Sequence, residues 1–267
     1  MGDAQAEQFD DTLLADFADT FYGYGTYNAP YWFIGMEEGG GNTFEEINAR
    51  LEAWRRRGRR EAEDLRSFHE AFGMVNFFQG AAVLQSTWNK LIRVVLSATG
   101  RPVTTELVRE YQQEQLGSAG GETCLLELLP LPSPTIGAAL FAKLLQLLNF
   151  PTQEQYKQHY MPLRAAHIAQ RIEEYRPCVV MFYGVAKEFR QCWDSIAGAP
   201  PWVVDANGVA WAQKDGTLFV ITKHPVARGL RSDDFEAVGR MITEKLTPTK
   251  TDTIFALFER GLRHGAL

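Results

Sequence analysis

Four short apolar runs punctuate the chain: Tyr31–Gly35, Cys124–Leu129, Cys178–Tyr183 and Leu218–Thr222. They are rich in Val, Ile, Leu and Phe, and they stop at Gly, Pro or polar turns. Runs without polar alternation predict parallel strands covered on both faces. The intervening segments predict helices. A long charged helix runs from Phe44 to about Phe72, and amphipathic ones cover Gly80–Ala98 and Thr104–Gln115. An apolar helix over Thr135–Leu148 follows, then Gln153–Tyr175, Ala186–Ile196, Ser232–Leu246 and a short last helix over Asp252–Leu262. Asp233 and Asp234 suit the start of the Ser232 helix. "WVVDANGVAWAQKDGTLFVI" reads as strands joined by turns at Asn207-Gly208 and Asp215-Gly216.

Strands alternating with helices predict an α/β fold. The expectation is a three-layer α/β/α sandwich around a central, mainly parallel four-stranded sheet. Residues 1–267 make one domain, with a helical insertion at about 43–118 and a C-terminal helix at about 252–262. Such folds bind ligands at the carboxyl ends of their strands. Three unusual segments follow predicted strands: "GMEEGGG", "LLPLPSP" and "KHPVARG".

A 45% hydrophobic chain of 267 residues can bury a core without disulfides or metals. Cys124 and Cys178 lie in apolar runs and read as small buried hydrophobes of a reducing compartment. No cysteine pair has metal spacing and the histidines are scattered, so neither zinc nor an iron–sulfur cluster is expected. The acidic start lacks signal-peptide character and no run suits a membrane span, so a cytoplasmic location is expected. A net charge of −6 argues mildly against nucleic acid, although charge is local. Arg55–Arg60 is a basic run that reads as a solvated helix face. Lys223, His224, Arg228 and Arg231 form a second basic group.

Four segments carry candidate chemistry. In "GMEEGGG", glycines let backbone approach a ligand, and Glu37 or Glu38 could position a water. No GK[ST] follows and GxGxxG is absent, which excludes the common nucleotide loops. His224, straight after a strand, can donate to a developing anion, or simply bond backbone. Glu127, inside an apolar strand, must be paired or protonated, with a core arginine as the ordinary partner. Phe77 and Phe78 precede a glycine and suit either stacking on a flat ligand or core packing. The absence of GxSxG argues against a serine hydrolase.

The glycine-rich loop after the first strand, the Phe-Gln-Gly segment, the strand "RPCVVMFYGVA" and the "HP" loop together resemble the uracil-DNA glycosylase superfamily over about Tyr31–Leu246. The resemblance implies a monofunctional DNA glycosylase, acting as a monomer on a flipped pyrimidine without cofactor or metal. It implies that Glu37 positions water, His224 stabilises the departing base, Phe78 stacks on it and Glu127 reads its edge. Lys223, Arg228, Leu230 and Arg231, with Gly229, would lie in the loop that enters DNA. Gly39, Gly40 and Gly41 stand where a uracil reader carries a bulky aromatic, and Glu127 where it carries an amide. A carboxyl group accepts from the amine of cytosine and, protonated, donates to the ring nitrogen. The site is therefore also similar to bacterial antiphage glycosylases that remove bulky modified cytosines, such as glucosylated hydroxymethylcytosine. The alternatives are a uracil-DNA glycosylase of base-excision repair and a non-catalytic relative that binds nucleic acid or a nucleotide.

Overall fold

The computed structural model describes residues 10–41, 43–132 and 138–247. The expected helix over Asp252–Leu262 lies outside the described residues. The chain begins with α1 (Asp11–Thr20), β1 (Gly23–Gly25), β2 (Tyr31–Glu37) and α2 (Phe44–Arg56). Then come β3 (Ala62–Glu63), α3 (Leu65–Ala71), α4 (Ser86–Ala98), α5 (Thr105–Glu114) and β4 (Thr123–Leu129). Next are α6 (Ala138–Leu147), α7 (Gln153–Tyr175), β5 (Val179–Tyr183) and α8 (Lys187–Ile196). The last elements are β6 (Val203–Val204), β7 (Ala210–Lys214), β8 (Thr217–Thr222) and α9 (Ser232–Leu246).

Side-chain caps fix several helix starts. Asp10 accepts from the Leu13 N–H, Thr43 from Glu46, Asp64 from Ser67 and Thr104 from Leu107. The long helix expected from Phe44 to about Phe72 is in fact two. Gly58 and Arg59 turn left-handed after α2, and Asp64 caps a new start. Between them β3 pairs with β1, so the 43–118 segment supplies a sheet edge as well as helices.

The fold is α/β, but the sheet is larger and more mixed than expected. Its described strands run in the order β3-β1-β4-β2-β5-β8-β7-β6. The four strands predicted from the apolar runs form its parallel centre, β4-β2-β5-β8. β1 runs antiparallel to β4, and on the far side β7 runs antiparallel to β8 and β6 antiparallel to β7. Asp215 and Gly216 both have positive φ in the tight β7–β8 turn, as an Asp-Gly hairpin requires.

Every residue of β5 and β8 is buried, so helices cover both faces of the sheet centre. Phe182 stacks on Trp193 of α8. Its neighbour Tyr183 projects from the other face. Cys124 is buried as expected, whereas Cys178 sits just before β5 and is exposed, which corrects its reading as a core residue. Among the described residues no helix is long and apolar enough to cross a membrane.

Candidate functional site

β2, β4, β5 and β8 are parallel, so their carboxyl ends meet at one edge. Glu127 of β4 lies opposite Gly35 of β2, and Tyr183 of β5 opposite Thr222 of β8. Residues paired across parallel strands share a face, and so do residues two apart on one strand. Glu37, two residues beyond Gly35 on β2, therefore flanks this row at its outer side, and His224, in the loop just after β8, joins it through its ring contact with Tyr183. Glu37 is the last residue of β2, paired with Leu129, rather than a loop residue.

Glu127 carries the most unusual electrostatics. The Tyr183 hydroxyl donates to its Oε1 at 3.0 Å, while its Oε2 is buried without a partner. The residue as a whole is half-buried, whereas its Oε2 is enclosed. Burial and the negative charge of Glu38 push its pKa up to about 8, against the Tyr183 bond. At neutral pH it is a carboxylic acid, able to donate and accept. The core arginine is present but does not pair with that carboxyl. Arg164 donates instead to the main-chain oxygens of Ala18, Phe21 and Glu127.

The adjacent glutamates diverge. Glu38 accepts from the Tyr24 hydroxyl at 2.6 Å and from Arg50 Nη1 at 2.5 Å, with His69 Nε2 at 3.9 Å. His69 is neutral: burial and nearby Arg50 lower its pKa to about 3, and its Nδ1 contacts the Leu65 carbonyl. Glu38 is therefore anchored between β1, α2 and α3. Glu37 lies half-buried on the Glu127 face.

His224 is half-buried at the end of β8, its ring edge-on to Tyr183 at 5.5 Å. The Val226 N–H donates to its Nδ1, which puts the neutral ring's proton on Nε2. Burial and the charge of Lys90 lower its pKa. Lys90 of α4 also holds the loop, donating to the carbonyls of Pro225 at 2.5 Å and Leu230 at 3.3 Å.

Other expected site residues are placed differently. Phe78 is only 2% exposed, enclosed by His69, Phe77 and Trp88, and this corrects its expected role as an open stacking face. Phe77 is the half-buried ring of the pair, edge-on to Trp88. The three glycines are not equivalent. A side chain at Gly39 would meet nothing within 4 Å, whereas Gly41 has Pro132 Cγ at 2.6 Å from its Cβ position. Gly40 has φ +97, which side chains disfavour. Open space thus lies at Gly39 alone, a correction to the expectation for all three.

Lys223, Arg228 and Arg231 are exposed, as expected of a basic loop. Leu230 is half-buried against the core, which makes it a poor wedge; Val226, 53% exposed, is the loop's open apolar residue. The Arg55–Arg60 run is largely neutralised. Arg55 pairs with Glu52, Arg57 with Glu63 and Arg59 with Asp16.

Sequence reasoning missed Tyr183, Lys90, Arg50 and His69. Tyr183 looked like one more apolar strand residue, and the other three lie in helical segments far from the strand ends in sequence. No described group of His, Cys, Asp and Glu could hold a metal ion. A cavity of about 690 Å³ lies at the opposite edge of the sheet, lined by Arg176, Ser195, Lys214 and Asp215 among others. None of the candidate site residues from the sequence lines it. No protein-family model and no curated protein matches the chain.

Proposed function

We propose that the protein is a DNA glycosylase that hydrolyses the N-glycosidic bond of a flipped, modified cytosine. What supports the reading is one observation: Glu37 and Glu127 share one face at the carboxyl ends of β2 and β4, and His224, just beyond β8, lies edge-on to Tyr183 of the same row. There, Glu37 stands beside a neutral acid and a neutral imidazole.

The base leaves the stack at a cost of a few kcal/mol, and exposed Lys223, Arg228 and Arg231 grip the backbone. Val226 fills the gap, and Phe77 rather than Phe78 offers the stacking ring. As the C1′–N bond breaks, its electron pair leaves with the base and the sugar becomes oxocarbenium-like. Glu37 stabilises that cation and orients water. The water oxygen bonds to C1′, and its released proton passes to the Glu37 carboxylate. His224 Nε2–H stabilises charge on the departing base. Glu127 donates to the ring nitrogen of cytosine and accepts from its amine. The open space at Gly39 accommodates a bulky C5 substituent such as a glucosylated hydroxymethyl group. Such a substrate would suit defence against phage DNA.

The enclosed Phe78 and the net charge of −6 favour one second reading, a relative that binds a nucleotide or nucleic acid without cutting. A panel of oligonucleotides carrying uracil, cytosine or bulky C5-substituted cytosine, treated with alkali to cleave abasic sites, separates the two. Strand breaks at the bulky cytosine support the glycosylase. Binding without breaks supports the second reading.

A further inference from the structure

Gly35 lies between Glu127 and Tyr183. A Cβ atom at residue 35 would sit 2.2 Å from Glu127 Oε2 and 2.3 Å from the Tyr183 hydroxyl. Any side chain there would separate the two groups. Without one, the hydroxyl crosses β2 and donates to Oε1 of an acid on the far strand. Burial keeps the Tyr183 pKa well above its ordinary value, so the hydroxyl remains a donor.

The surroundings leave Glu127 with this one strong partner. Glu37 and Glu38 on the β2 side are both acidic, and Tyr24 of β1 donates to Glu38. Arg50 of α2 is bonded to Glu38. Arg164 of α7 is turned to main-chain carbonyls, though its charge still acts on Glu127. An isolated buried carboxylate is costly, so the acid form with one oxygen unpartnered is favoured. Thr222, beside Tyr183 on β8, also has a buried hydroxyl without a partner. Two of the four unpartnered buried side-chain atoms among the described residues thus fall in one row at this edge. Unsatisfied polar groups gathered at one place point to a ligand or ordered water.

We propose that Tyr183 is a positioning residue for Glu127: by donating to one carboxyl oxygen across Gly35 it directs the acid proton to the other. The resulting donor–acceptor pair selects a flat heterocycle with a ring-nitrogen acceptor beside an exocyclic amine. The ligand class rests on the glycosylase reading, whereas the pairing of Tyr183 with Glu127 does not. Tyr183 touches both Glu127 and the His224 ring, so it also sets the two groups relative to each other.

The test uses the full chain carrying ¹³C-labelled glutamate, with the Glu127 carboxyl signal assigned by its loss in Glu127→Gln. In the wild-type protein that signal should titrate near the raised value of about 8. Tyr183→Phe keeps the ring against His224 and removes only the hydroxyl. Since that bond favours the ionised form, its loss should move the titration to still higher pH. A wild-type midpoint near the ordinary 4.5, or the same midpoint in both proteins, overturns the pairing. In parallel, kcat/KM is compared on oligonucleotides with a cytosine-type and a uracil-type base. Tyr183→Phe should reduce the preference for the cytosine edge about tenfold, the scale of one bidentate base contact. An unchanged ratio overturns the ligand class. A protein that titrates as stated but cuts neither base loses the glycosylase reading and keeps the pairing.

Discussion

Arg50 grips Glu38 through a 2.5 Å ion pair in which the arginine side chain is 4% exposed. This contact separates two glutamates that are adjacent in sequence. Glu38 ties the β2 end to α2, and the Tyr24 bond ties it to β1. Removing one partner of such a buried pair typically costs about 3–5 kcal/mol. Arg50→Ala should therefore lower stability strongly in denaturant melts. Glu37→Gln should change it far less. Equal losses in both variants would contradict the division of roles.

His224→Ala removes a donor aimed at the departing base. One such donor is worth roughly 2.7–4 kcal/mol of transition-state stabilisation, about a hundredfold or more in rate. The pH profile carries a second signature. Burial and Lys90 keep the His224 pKa below its ordinary 6.5, so the neutral donor persists as pH falls past that value. A required neutral imidazole gives activity that is lost only at lower pH, as the ring finally charges. The part of the acid limb that this ring imposes should be missing from the residual activity of His224→Ala, and wild-type turnover by that variant would remove it from the mechanism.

Gly39 and Gly40 should respond differently to the same substitution. Gly39→Tyr fills open space, so it should exclude a bulky C5 substituent while sparing small bases and stability. Gly40→Tyr is strained by its positive φ and meets Glu46 Oε1 at 3.1 Å, so it should lower stability for every substrate. Competition between bulky and small cytosines, together with melting curves, checks both. Selection unaffected by Gly39→Tyr would mean the substituent lies elsewhere.

The exposed basic loop predicts a salt signature. Each phosphate contact contributes about 0.9 to the slope of log affinity against log salt for duplex DNA. Replacing Lys223, Arg228 and Arg231 together should flatten that slope by about 2–3. Binding titrations at several salt concentrations measure it directly. An unchanged slope would move the DNA to another surface.

The parallel centre of the sheet was legible because its strands are buried on both faces and so read as unbroken apolar runs. The edges were not. β1 is three residues with two glycines, and β3 is only Ala62–Glu63, too short for any pattern. The break after α2 depends on left-handed Arg59, a residue whose type gives no turn signal, next to a single glycine. At the site, Glu37, Glu127 and His224 stood out because polar residues end or interrupt apolar runs. Tyr183 did not, because a strand tyrosine looks apolar until its hydroxyl is seen crossing Gly35 to Glu127. Phe78 was misplaced for a related reason. A Phe pair has the same sequence signature whether it lines a cleft or, as here, packs on Trp88 and His69.

Release of the free base is the most direct measurement. An oligonucleotide carrying one bulky C5-substituted cytosine is incubated with wild-type protein and with Glu37→Gln, and the products are identified by mass spectrometry. The expected result is the intact modified base and an abasic strand from the wild type, with excision lost in Glu37→Gln although that variant still binds the DNA. Intact substrate with the wild type, or equal release by both proteins, would contradict hydrolysis at this site.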